Sequence, residues 1–221
     1  MRKYVIMGVQ GSGKGTQAAW LAADLNLVHV SVGDTFRWHV QHHTKIGAQV
    51  RRTMVDGEMI DDSLVESVVR DRLAMHDWNY GFVLDGFPRT VRQAEFFLES
   101  YDIDGVINLS MPDSVVRQRV LARRLCSGCG LDWNLLAHRP KVPDICDICG
   151  APLLAREDDT LEALDARLRD YHDKTAPLIA LFERKEFVAE FDATQPIDVI
   201  QADIRARFGL PATAPLQPSR E

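Results

Sequence analysis

The chain has 221 residues, which fits one domain or one core domain carrying insertions. Apolar residues make up 46% and charged residues 26%, enough to bury a sizeable core and to exclude global disorder. The 26 basic and 32 acidic residues leave a net charge of −6, which argues against a dedicated nucleic-acid or anionic-membrane surface. A local basic site or an anionic ligand stays open. No apolar run approaches the roughly 18 residues of a membrane-spanning helix. The run after Met1 is only Tyr4–Met7, too short for a signal peptide, so a cytoplasmic address is expected.

In chain order, β-branched apolar runs alternate with helical patterns, which predicts an α/β fold with a parallel sheet flanked by helices. Expected strands are Tyr4–Met7, Val28–Ser31, Phe82–Asp85, Val106–Leu109 and Phe187–Phe191. Helices are expected near 14–25, 62–76, 90–100, 112–125 and 160–185. Asp159 with Glu162 three residues on reads as a helix cap, and Pro112 suits a first helical turn. Residues 32–60 are polar and helix-like. Their His39, His42 and His43 fit a wet helix face better than a metal site. Residues 126–158 hold every cysteine and no helical period, as an inserted subdomain would. The proline-rich end from 209 to 221 reads as a flexible tail.

Directly after the first strand comes Gly8-Val9-Gln10-Gly11-Ser12-Gly13-Lys14-Gly15-Thr16, the G-x-x-x-x-G-K pattern. Glycines there let backbone N–H groups turn onto phosphate oxygens at the positive end of a helix. Lys14 adds a point charge, and the Thr16 hydroxyl suits the Mg²⁺ that accompanies a nucleotide. Phe82-Val83-Leu84-Asp85 is an apolar strand ending in a carboxylate, which suits Mg²⁺ held through water. Cys126, Cys129, Cys146 and Cys149 form C-x₂-C-x₁₆-C-x₂-C, the spacing of a closed, structural Zn²⁺ site. Two disulfides are the alternative.

GVQGSGKGTQ, Ser31-Val32-Gly33-Asp34 with Arg37, DGFPRTVRQ at 85–93, AREDD at 155–159 and the four cysteines together resemble the nucleoside monophosphate kinases. Among these, the zinc-containing, long-lid adenylate kinases are the most similar. The resemblance covers about 4 to 208. It implies the reaction ATP + AMP ⇌ 2 ADP with Mg²⁺, and a monomer whose partners are small nucleotides. It also implies a core (1–30, 61–121, 160–208), an arm for the monophosphate (31–60) and a lid (122–159). Catalytic roles fall to Lys14, Arg89, Arg123, Arg156 and Arg167, since fixed guanidinium groups stabilise a transferring phosphoryl group. ATP is assigned Gly11, Ser12, Gly13, Lys14, Gly15, Thr16, Arg119, Arg123, Asp132, Trp133 and Gln195. AMP is assigned Val32, Arg37, Glu58, Met59, Ile60, Gly86, Phe87, Pro88, Arg89, Gln93, Arg156 and Arg167. Arg119 and Arg123, four apart, are expected on one helix face.

The chain departs from the family's pattern at several places. Gln10 replaces a usual proline, Val32 a usual threonine, Met59-Ile60 a usual Leu-Val, Trp133 a tyrosine and Gln195 a lysine. Val32 keeps open a kinase for another monophosphate such as UMP or CMP. A third reading, a P-loop protein binding nucleic acid through a zinc ribbon, is disfavoured by five basic against six acidic residues over 122–159. A small-molecule kinase of a related P-loop family would not carry Gln93 in this register.

Overall fold

In a computed structural model, residues 2–77, 80–136 and 139–212 are described. The chain runs β1 (Lys3–Gly8), α1 (Lys14–Leu25), β2 (Val28–Ser31), α2 (Val32–Gln41), α3 (Lys45–Val55), α4 (Asp62–Ala74) and β3 (Phe82–Asp85). It continues through α5 (Val91–Ser100), β4 (Gly105–Ser110), α6 (Asp113–Leu121), β5 (Arg123–Cys126), β6 (Asp132–Asn134) and β7 (Leu153–Leu154). The last elements are α7 (Leu161–Asp170), α8 (Pro177–Glu183), β8 (Val188–Asp192) and α9 (Ile197–Arg207).

A five-stranded parallel sheet has the order β2-β3-β1-β4-β8. Side chains on a strand alternate between faces, and the core splits accordingly. Val5, Met7, Leu84 and Val106 pack with Phe36, Phe97 and Phe182 on one side. Tyr4, Ile6, Val83 and Ile107 pack with Leu21, Ile200 and Ile204 on the other. All strands run the same way, so their carboxyl ends share one edge, where open α/β sheets bind ligands. Register puts Ser31 and Ile6 beside Asp85 at that edge.

Four expectations need correction. The helix expected to 125 ends at Leu121, and Arg123 lies on β5, so Arg119 and Arg123 do not share a helix face. Pairing with β6 and β7 draws Arg123–Cys126 into a small antiparallel sheet, and Asn134 Nδ2 donates to the freed Arg119 carbonyl at 2.9 Å. The helix over 160–185 is broken by a π turn at Tyr171–Thr175 ahead of Pro177, which has no N–H to continue the ladder. The cap of α7 is Thr160, whose hydroxyl accepts from the Ala163 N–H at 3.1 Å; Asp159 is engaged elsewhere. The tail begins later than 209: Leu210 is buried and the Pro211 carbonyl accepts from Arg205 at 2.7 Å. Residues 213–221 lie outside the described residues.

The polar stretch 32–60 forms α2 and α3, capped by Ser31 and Thr44. Its histidines do not converge: His39 meets Thr44 Oγ1 at 2.9 Å, while His42 stacks on Trp38 at 4.2 Å.

Candidate active site

Between the sheet edge, α2, α3 and the β5–β7 sheet lies a cavity of ≈ 780 Å³. Its floor is the loop from β1 to α1. Gly8 must be glycine, because a Cβ there would stand 2.3 Å from the Leu109 carbonyl oxygen. Gly11 and Gly13 take φ of +79° and +89°, the left-handed region that turns the loop back on itself. Helix α1 then starts at Lys14, its N-terminus facing the cavity.

Lys14 Nζ donates to the Val9 carbonyl at 2.8 Å, folding the ammonium over the loop. Burial pulls its pKa down to about 8; Asp85 opposes that shift, and Arg89 and Arg123 add to it. Burial pushes Asp85 up, offset by Lys14. A Cβ on Gly15 would lie 3.5 Å from Asp85 Oδ2, so the carboxylate borders the first turn of α1. The Ser12 hydroxyl is buried with no hydrogen-bond partner among the described residues. Thr16 and Asp85 both line the cavity and offer the oxygen donors that a hard cation such as Mg²⁺ takes.

The walls carry the arginines, each set against an oxygen. Arg123 grips Asp159 in a fork, Nε to Oδ2 at 2.8 Å and Nη2 to Oδ1 at 2.5 Å. Arg156 Nε lies 3.3 Å from Asp158, with Asp132 at 3.8 Å. Arg167 donates to Asp158 Oδ2 at 2.7 Å and to the Asp158 and Met54 carbonyls at 2.8 and 3.0 Å. Arg37 pairs with Asp34, and Arg89 Nε donates to the Gly86 carbonyl at 2.9 Å. Arg119 donates to the Ala193 and Thr194 carbonyls, beside Gln195. Burial would raise Asp158, but Arg156 and Arg167 hold it below the usual carboxylate range. Burial lowers Arg89 and Arg156, and neighbouring guanidinium groups lower them further. A cluster of like charges in a half-dry cavity is a demand for anions.

Every residue assigned above to either nucleotide lies on this wall, including Val32, Glu58, Met59, Ile60, Phe87, Pro88, Asp132 and Trp133. Segment 31–60 comes close from one side: a Cβ added to Gly57 would stand 2.4 Å from the Ala163 carbonyl oxygen. Arg51, on α3, lies 3.9 Å from Glu157, an exposed pair. Sequence reasoning missed the acids: Asp158 and Asp159 stand within the AREDD run but received no role at the site, Asp159 being read only as a helix cap. The available signal was their position two and three residues after Arg156. It also missed Asp62, whose Oδ1 accepts from Gln93 Nε2 at 2.7 Å while Gln93 Oε1 accepts from the Arg89 N–H at 2.8 Å.

Residues 6–187 match the family model described as adenylate kinase. The chain belongs to the adenylate kinase family. It is 38% identical over 209 residues to the adenylate kinase of Methanocella arvoryzae, covering 92% of this chain and 97% of that one. The adenylate kinase of Lachnospira eligens is 39% identical over 207 residues (91% and 97%), and that of Clostridioides difficile 35% over 212 (94% and 98%).

Outside the cavity, this adenylate kinase family member gathers its four cysteines at one end of the β5–β7 sheet, all four sulfurs within 4.8 Å of one another. Cys126 and Cys149 Sγ are 3.3 Å apart and Cys129 and Cys146 Sγ 3.6 Å, and none is in a disulfide. Four sulfurs at about 2.3 Å from a tetrahedral Zn²⁺ stand roughly 3.8 Å from each other, so the cluster fits that ion. The Cys129 and Gly128 N–H groups point at Cys126 Sγ, both at 3.4 Å, and bring its thiol down to about 6. A thiolate is the form a metal needs.

Proposed function

We propose a division of labour for the family's reaction, ATP + AMP ⇌ 2 ADP, in which the β1–α1 loop receives ATP and the 31–60 side receives AMP. The observation that carries it is the ring of Arg37, Arg89, Arg123, Arg156 and Arg167 around one cavity whose floor is a glycine-rich phosphate loop. Phosphoryl transfer needs little covalent chemistry from the protein, only positioning and charge. Backbone N–H groups of Gly11 to Thr16 and the Lys14 ammonium hold the ATP phosphates. Arg119, Asp132, Trp133 and Gln195 border its adenosine. Mg²⁺ brought in with ATP neutralises charge on the phosphates, and Thr16 and Asp85 would hold it. Arg37 and Arg89 hold the AMP phosphate, while Arg123, Arg156 and Arg167 turn from Asp158 and Asp159 to the transferring group. The aspartates keep the cluster together until phosphate arrives.

We divide the chain into a core, an arm (31–60) and a lid (122–159) that meet at this cavity, with structural Zn²⁺ on the lid. A cytoplasmic monomer binding neither nucleic acid nor membrane agrees with the net charge of −6 and the four free thiols. Among the described residues, no helix is long and apolar enough to cross a membrane.

Base selection rests on Gln93, which is 2% exposed with both ends of its amide engaged. An amide still has one spare lone pair on Oε1 and one spare proton on Nε2. That pair matches the N–H donor and ring-nitrogen acceptor of adenine. A wrong base leaves buried polar groups unpaired, at about 1–3 kcal/mol each. Val32 brings no hydroxyl to help. Gln93→Leu should therefore lower kcat/KM for AMP roughly 10- to 100-fold, keep the KM for ATP within about twofold, and shrink the preference for AMP over CMP. Steady-state kinetics with both acceptors checks it. An unchanged AMP to CMP ratio removes Gln93 from base selection.

A further inference from the structure

Gln10 stands in the phosphate loop and reaches a residue 149 positions away. Its Nε2 donates to Asp159 Oδ1 at 3.1 Å. The same carboxylate, whose side chain is 3% exposed, takes the Arg123 fork. One buried acid thus joins the β1–α1 loop, β5 and the start of α7. The amide's orientation is dictated: turned over, its oxygen would face the carboxylate. Gln10 Oε1 is buried with no partner among the described residues, and as an acceptor it cannot serve a phosphate oxygen. Gln10 itself lines the cavity, and among the described residues its side chain's hydrogen bond goes to Asp159.

We propose that Gln10 is a positioning residue that clips the phosphate loop to Asp159 and so governs how readily Arg123 is released to the ATP phosphates. When the Arg123 guanidinium turns to phosphate, Asp159 loses both forks of its ion pair. Arg167 Nη1, at 3.9 Å, is too far for a hydrogen bond. Gln10 Nε2 is the donor that stays, keeping the buried carboxylate satisfied and the loop aligned beneath it. A residue without a side-chain donor at position 10 leaves Asp159 dependent on Arg123, which then exchanges less readily.

This inference rests on ATP occupying the phosphate loop, and the experiment separates the two. Initial rates with ATP–Mg²⁺ and AMP are compared for the wild type, Gln10→Leu, Gln10→Glu, Asp159→Asn and the Gln10→Leu/Asp159→Asn pair. Gln10→Leu should raise the KM for ATP about 10-fold, as loss of a hydrogen bond to a charged group does, with the KM for AMP within twofold. Gln10→Glu, of equal length but unable to donate, should raise it at least as much. In the Asp159→Asn background the Gln10→Leu change should alter the KM for ATP less than twofold. Equal effects in both backgrounds would mean a direct phosphate contact and overturn the proposal, as would an unmoved KM for ATP or a parallel rise in both constants. A wild type inactive with ATP and AMP would instead overturn the nucleotide assignment itself.

Discussion

Lys14→Met should lower kcat by two to three orders of magnitude and leave the thermal midpoint near that of the unaltered chain. Removing one preorganised charge from a transition state in a dry site typically has an effect of that size. The ammonium is folded over the loop by the Val9 carbonyl, attracted by Asp85 and repelled by Arg89 and Arg123. Its pKa, already drawn down to about 8, shows that the cavity holds this charge at a disadvantage until an anion enters. Methionine keeps the length and removes the charge, so folding loses little and catalysis loses much. Turnover and circular-dichroism melting on the same preparation check both halves. A variant with near-normal turnover would remove the loop from the reaction.

Withdrawing the metal should unfold the β5–β7 sheet while the parallel sheet persists. Its own core is Trp133 and Leu153 packed with Cys126 and Cys146, with Ala151 beside them. Two large apolar side chains contribute about 3–6 kcal/mol, whereas a structural Zn²⁺ contributes about 10–16 kcal/mol in small zinc domains. Under the proposed zinc assignment, the insertion depends on the ion. Cys129→Ser or a strong chelator should strip amide-exchange protection from 123–154 and leave β1, β3 and β4 protected. The untreated protein should contain about one Zn²⁺ per chain. Protein with no transition metal and all four thiols oxidised would show the disulfide alternative instead.

The phosphate loop and the buried strands were legible because their signals are local: glycines at fixed offsets, and apolar runs that stop at polar residues. Parallel strands buried on both faces read as continuous apolar stretches, and Phe82–Asp85 is buried throughout. What failed was set by partners distant in sequence. Val120-Leu121-Ala122-Arg123 continues a helical pattern, and only pairing with Asn134 and Leu154 ends it. Asp159 and Thr160 both suit a cap, and Arg123, 36 residues earlier, takes the aspartate. The zinc spacing was visible, but not that the sheet carrying it delivers Arg123 to the cavity. Gln10 was legible only as an unusual residue, since its partner, Asp159, lies 149 residues further along the chain.

The most direct test of the central claim is a panel of initial rates with ATP–Mg²⁺ and AMP, CMP, UMP or GMP as acceptor. AMP should give the highest kcat/KM and yield two ADP for each AMP consumed, with relaxed discrimination against the others because Val32 lacks a hydroxyl. A higher kcat/KM for UMP or CMP would contradict adenine selection by Gln93, and no diphosphate formed from any acceptor would contradict phosphoryl transfer altogether.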